Sequence, residues 1–223
     1  MDINTQFGTS LDNIWNGYSK SCAGTKLDTT LGPAIVGTIN TPCDVLFVGM
    51  NPSHPVKDTR GNRVSQNNYY CPTSMTIPYF KGLVDLCSNM ALSSWGYLDL
   101  YPIRHTNQKD IIDIRKSKQA KSFFEQLEQL TQEIIKRVSP KLIVVINAGA
   151  GKVLREIYGI KSFPSNTYDW GRGVEMVEID GGVLKPVIFS GMLTGQRALD
   201  IGSRVSLQWH IAKVLSLKTP LKI

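Results

Sequence analysis

Short, unbroken apolar runs alternate along the chain with longer stretches in which apolar residues return every three or four positions. DVLFVGM (44–50), GYLDLYP (96–102), KLIVVINA (141–148) and PVIFSGM (186–192) are too short for helices and lack polar alternation. Such runs mark strands covered on both faces, as in a parallel sheet. Between them, Tyr79, Phe80, Leu83, Val84, Leu86, Cys87 and Met90 fall on one helical face. Phe123, Phe124, Leu127, Leu130, Ile134, Ile135 and Val138 form another, which stops before Pro140. Residues 149–158 predict a shorter helix ended by Gly159, and 203–217 a C-terminal helix with Val205, Trp209, Ala212 and Val214 inward. Ser10 is placed to cap a helix over 11–19. VEMVEI, then Asp180-Gly181-Gly182, then VLKPVIF predict a hairpin whose second arm is the last central strand. This alternation predicts an α/β fold: a three-layer α/β/α sandwich with a central, mainly parallel sheet, in one domain spanning 1–223.

In open α/β sheets ligands bind beyond the carboxyl ends of the strands, so the residues at which each run stops are informative. They read Gly49-Met50-Asn51-Pro52-Ser53-His54, Asp99-Leu100-Tyr101-Pro102, Asn147-Ala148-Gly149-Ala150 and Ser190-Gly191-Met192-Leu193-Thr194-Gly195. The polar segment 51–77, with Pro52, Pro55, Gly61 and Pro72, follows the first strong strand directly. Connections of that length usually carry function. The strands ending at Met50 and Phe189 are expected to be neighbouring inner strands, setting Asn51 and Ser190 on opposite walls of one pocket.

Composition narrows the classes. At 223 residues, 42% hydrophobic and 19% charged, the chain excludes a disordered tail protein, a collagen or a coiled coil. No apolar run approaches the roughly 20 residues a bilayer crossing needs. MDINTQFGTSLDN has neither the basic nor the apolar part of a secretory signal, so a cytosolic address is expected. Cys22, Cys43, Cys71 and Cys87 contain no C-x-x-C pair and read as reduced, mostly buried thiols; neither a metal nor an organic cofactor is expected. Lysine and arginine at 25 against 18 acidic residues give +7, a bias towards polyanionic partners. Residues 104–121 hold Arg104, Lys109, Arg115, Lys116, Lys118 and Lys121 against Asp110 and Asp113, either a solvated face or a contact for duplex flanks. Phosphate-loop, dinucleotide and serine-hydrolase motifs are absent.

Two separated motifs then resemble the uracil-DNA glycosylase superfamily, in that family's order. VLFVGMNPSHP is similar to its first motif in the Asn-bearing form of the single-strand-selective and mismatch-specific branches, GMNPG or GINPG, with Ser53 in place of the last glycine. SGMLTGQRALDIGSRVS resembles the second, a loop of pattern HPSPLSxxRGFFGCxHF, with Gly202-Ser203-Arg204 at its distal end. YLDLYP and PKLIVVINAGAGKVL are weaker matches to a strand followed by Asn-x-Cys-Pro and to the penultimate strand and helix, so the resemblance covers 44 to about 215.

The resemblance implies a DNA glycosylase: a damaged or non-standard base is rotated out of the strand and its N-glycosidic bond hydrolysed, with Asn51 holding the attacking water. Breaking that bond passes through an oxocarbenium-like sugar, so a site needs a water on one face and stabilisation of the departing base. Asn51-Pro52 equally suits a plain turn out of the strand. The family's histidine at the leaving group aligns with Ser190, whose neutral hydroxyl donates one hydrogen bond; Ser190-Gly191 also reads as a tight strand exit. The base-reading asparagine aligns with Asp99, which as a carboxylate favours edges presenting amino donors, or else caps a turn or pairs with Arg104. Tyr70 is the implied stacking ring and Met50 the other base-binding position. Ser53, His54, Thr194, Gly195, Arg197 and Arg204 are expected to contact single- or double-stranded DNA through phosphates, although a solvated loop histidine remains open for His54. Two other readings stand beside this one: a nucleic-acid-binding protein on the same fold with weak or lost catalysis, and a hydrolase acting on free nucleosides or nucleotides.

Overall fold

The computed structural model describes residues 1–53, 69–70, 72, 78–193 and 198–217. In chain order it runs α1 (Ile3–Tyr18), β1 (Ile35–Val36), β2 (Val45–Gly49), β3 (Tyr69–Tyr70), α2 (Pro78–Asn89), β4 (Trp95–Asp99) and α3 (Gln108–Arg115). Then come α4 (Lys121–Val138), β5 (Leu142–Val145), α5 (Ala148–Ile157), β6 (Glu175–Asp180), β7 (Val183–Phe189) and α6 (Ile201–Val214). The five-stranded sheet has the order β4-β2-β5-β7-β6, and β1 pairs with β3 in a small parallel ribbon. β4, β2, β5 and β7 are parallel and β6 is antiparallel to β7. The α/β/α sandwich with a mainly parallel sheet is therefore present.

The apolar runs form the inner strands because both of their faces are covered. Leu46, Val48, Leu98, Ile143 and Val145 share one core with residues of α1, α4 and α5. Val45, Phe47, Tyr97, Val144 and Ile188 share the other with α2 and α6. Strand alternation thus splits each run between two helical layers. Gly181 and Gly182, with φ of +44° and +90°, turn the expected β6–β7 hairpin in a conformation that side chains resist.

Several expectations are corrected. The strands ending at Met50 and Phe189 are not neighbours: β5 pairs with both. The chain goes from β2 to β4 on one side, then returns over β2 through α3 and α4 to place β5 on the other. The first helix begins at Ile3, because Asp2 accepts a hydrogen bond from the Thr5 amide and so caps the helix ahead of Ser10. In α6 the buried face is Leu207, Gln208, Ile211 and Ala212, while Trp209 is turned outward. The basic stretch contains α3, and two of its bases are spent within the fold. Arg104 is buried and donates to the Pro33 carbonyl, and Arg115 bridges Glu128 and Glu156. Cys22, Cys43 and Cys87 are buried free thiols; Cys71 lies outside the described residues. Among the described residues no helix is long and apolar enough to cross a membrane.

Candidate active site at the carboxyl edge of the sheet

Strand order determines where a site can form. The helix after β2 packs on one face of the sheet and the helix after β5 on the other, so their connections diverge between two paired strands, the place at which open α/β sheets bind ligands. Asn51 stands at that point, two residues beyond β2. Asn147, two residues beyond β5, caps α5, its side-chain oxygen accepting from the amides of Gly149 and Ala150 while its amide donates to Gln108.

Asn51 is 8% exposed. Its amide nitrogen donates to the carbonyls of Pro52 at 3.0 Å, Ile103 at 3.0 Å and His105 at 2.6 Å. Three acceptors around one nitrogen fix which way the amide faces. They leave its Oδ1 buried and without a partner among the described residues. A buried carbonyl oxygen in that condition costs free energy unless it meets a donor, and a water molecule or a ligand N–H supplies one. The carbonyls are themselves positioned: the His105 amide donates to the Pro52 carbonyl at 3.1 Å, and the His105 ring meets Asp110 at 3.2 Å. Lys26 holds Asp110 from its other side, and that hydrogen bond, followed by the one to His105, keeps the Asp110 carboxyl below its usual range.

Asp99 ends β4, 4% exposed, and accepts from the Tyr97 hydroxyl at 2.7 Å. Tyr79 on α2 lies 3.4 Å from that hydroxyl; burial, and after it the Asp99 charge, push the Tyr79 hydroxyl well above its ordinary pKa. Both groups pass over Gly49, where a Cβ would fall 2.2 Å from the Tyr97 hydroxyl and 2.4 Å from Asp99 Oδ1. Glycine at 49 is therefore required by close approach, one residue before Met50 in the GMNP run. The Met50 side chain is in the core shared with α1, α4 and α5, so what that residue offers this edge is backbone.

Ser190 lies at the same edge but beyond β5, its amide donating to the Val145 carbonyl at 2.7 Å. Arg204 is not projected as a free surface cation: it donates to the Leu193 carbonyl at 2.8 Å, with its Nε buried. Ser53 is exposed beside Asn51. Tyr70 is placed on β3 opposite Val36; its ring, and His54, Thr194, Gly195 and Arg197, lie outside the described residues. Of the clefts formed by described residues, one of about 130 Å³ lies between α2 and α6 and another of about 230 Å³ flanks β7. Neither is lined by Asn51, Asp99 or Ser190.

Two contributors to this edge were not singled out from the sequence. Tyr97 was legible in principle, since a residue two before Asp99 shares its strand face. His105 carried no local signal, because its role depends on a contact with a loop more than fifty residues earlier. No protein-family model matches the chain, and no curated protein matches it.

Proposed function

We propose that the protein is a DNA glycosylase-like enzyme that flips a damaged or non-standard base into the edge between β2 and β5 and hydrolyses its N-glycosidic bond. The observation that carries this reading is the orientation of Asn51: every donor of its amide is occupied, and the buried Oδ1 faces no protein donor among the described residues. In the reaction a water donates to Oδ1 and turns its lone pair towards C1′ of the sugar. The C1′–N bond breaks with its electron pair leaving on the base, the water oxygen joins C1′, its proton passes to solvent and the base anion takes one up. Asp99, held by Tyr97, accepts from the amino or imino edge of the base, and the Ser190 hydroxyl or nearby amides offset the leaving charge.

The test is a panel of oligonucleotides carrying uracil, hypoxanthine, xanthine or alkylated bases, scored for released base and for abasic sites cleaved by alkali. Release that is lost in Asn51→Ala supports the proposal; no release from any substrate overturns it. Ser190 favours a second reading, because a hydroxyl at the end of β7, with β5 between it and Asn51, is a weak electrostatic partner for a leaving anion. Salt-dependent binding of DNA without base release is the result expected of that reading.

A further inference from the structure

The β6–β7 ladder ends where Glu175 pairs with Val187, so Ile188 and Phe189 continue beyond their antiparallel partner. The cleft of about 230 Å³ opens there, bounded by Arg155 of α5, His210 of α6 and the irregular connection between α5 and β6. That volume is below the roughly 300–1,000 Å³ of sites for drug-sized ligands and suits one flat heterocycle.

Its lining carries three kinds of group in uncommon states. Phe163 and Tyr168 line it, and with Trp170, which packs on Tyr168 outside the lining, they form an edge-to-face ladder with centroids 5.4 and 4.9 Å apart. The end members are 66% and 77% exposed, although large rings ordinarily seek cover. The Arg155 guanidinium lies 3.7 Å over the Phe189 ring and has no carboxylate partner among the described residues; its Nε is buried with no acceptor. Glu175 is 1% exposed, accepts only from the Ser165 amide and hydroxyl, and pairs with no cation among the described residues. A carboxylate has about four acceptor positions, so capacity remains.

We propose that this cleft is a second, non-catalytic site for an unpaired nucleobase. The base stacks on the Phe163–Tyr168–Trp170 ladder and gives its N–H edge to Glu175; Arg155 donates to its carbonyl edge or to the adjoining phosphate. Aromatic faces, one acceptor and one cation are what a nucleotide matches, and a chain of net charge +7 favours a polyanion. The site goes beyond the glycosylase reading and does not rest on it, since neither Asn51 nor Asp99 lines it.

The protein is titrated into a fluorescein-labelled single-stranded 12-mer of mixed sequence, into the same strand as a duplex, and into an abasic backbone of equal length. The single strand is expected to bind tightest. Trp170→Ala, at an exposed position that leaves the fold intact, and Tyr168→Ala each weaken it roughly five- to 150-fold, the loss expected from removing one stacked base. Arg155→Met, which keeps the packing on Phe189, also weakens it. Displacement of the label by free nucleoside monophosphates identifies the base itself as the ligand. Failure of monophosphates to compete, with the variants still weakened, identifies a strand-borne base. Equal affinity for the abasic backbone, or affinities unchanged in Trp170→Ala, Tyr168→Ala and Arg155→Met, overturns the proposal. Base release is scored on the same three variants, so failed base release and failed binding are read separately.

Discussion

The carboxyl edge of the sheet has two halves built on opposite principles. Around β2 and β4 the polar groups are buried and mutually held: Asn51 is clamped by three carbonyls, and Asp99 is tied to Tyr97 over a glycine. Around the end of β7, Ser190 is half-buried, Arg155 has no acidic partner among the described residues, and Phe163 and Trp170 stand open to solvent. Groups fixed before a ligand arrives need no reorganisation during a reaction, which suits the first half to chemistry. Exposed rings order when something covers them, which suits the second to recognition. The two halves are separated by β5, so each can be damaged without the other.

The strongest test of that division compares Asn51→Ala with Ser190→Ala in base release. Loss of the group that orients the nucleophile is expected to cost on the order of 100-fold or more, within the ~10²–10⁴ typical of positioned proton-handling groups. Ser190→Ala is expected to cost less than about tenfold, the loss of one neutral hydrogen bond. Equal losses, measured as kcat/KM on one lesion oligonucleotide, would break the comparison and make the halves one site.

Glycine substitutions sharpen it through stability. In Gly49→Ala the new methyl meets a tyrosine hydroxyl and a carboxylate that are themselves buried, and neither can withdraw without giving up the Tyr97–Asp99 hydrogen bond. Overpacking of this kind costs roughly 1–3 kcal/mol. In Gly191→Ala the methyl lies 2.9 Å from Leu199 Cδ2, the far end of a flexible side chain. That change is expected to cost less than about 1 kcal/mol, since the leucine can turn aside. Urea midpoints at constant m-value read the difference; a Gly191→Ala loss as large as that of Gly49→Ala would show the β7 half to be equally rigid.

The contrast also explains what the sequence disclosed. The inner strands were readable because residues such as Phe47 and Val144 are apolar for a reason internal to their own strand: both faces are covered. The β6–β7 hairpin was readable because Asp180-Gly181-Gly182 encodes its turn locally. The order of strands was not, because nothing in PVIFSGM states that β5 will stand between it and β2. Trp209 was misplaced for a related reason: the periodicity of α6 is weak, and its buried face includes Gln208. At the site, Asn51 and Asp99 stood out by position at the ends of runs. The clamp on Asn51 could not be read, since the Ile103 and His105 carbonyls are backbone atoms supplied by a distant loop. The cleft beside β7 was invisible in the same way, assembled from α5, α6 and a connection without regular pattern.

The smallest effect expected concerns the anchor beneath Asn51. Asp110 is held below its usual pKa by Lys26 and then by His105, so its folded value lies beneath the unfolded value of about 3.9. A carboxyl depressed on folding contributes stability above its unfolded pKa and loses it as pH falls through the folded one. Asp110→Asn should therefore lower stability at neutral pH, leave it near that of the wild type at pH below the folded pKa, and so flatten the acid limb of the profile. It should also loosen the loop whose His105 carbonyl holds Asn51, lowering kcat for base release by a few-fold while KM and single-strand affinity stay put. Asparagine still reaches the His105 ring but carries no charge for Lys26, so the acid limb and the kcat change separate the charge from the contact. Parallel losses in kcat and in strand affinity would mean that the two halves of the edge are coupled through β5 after all.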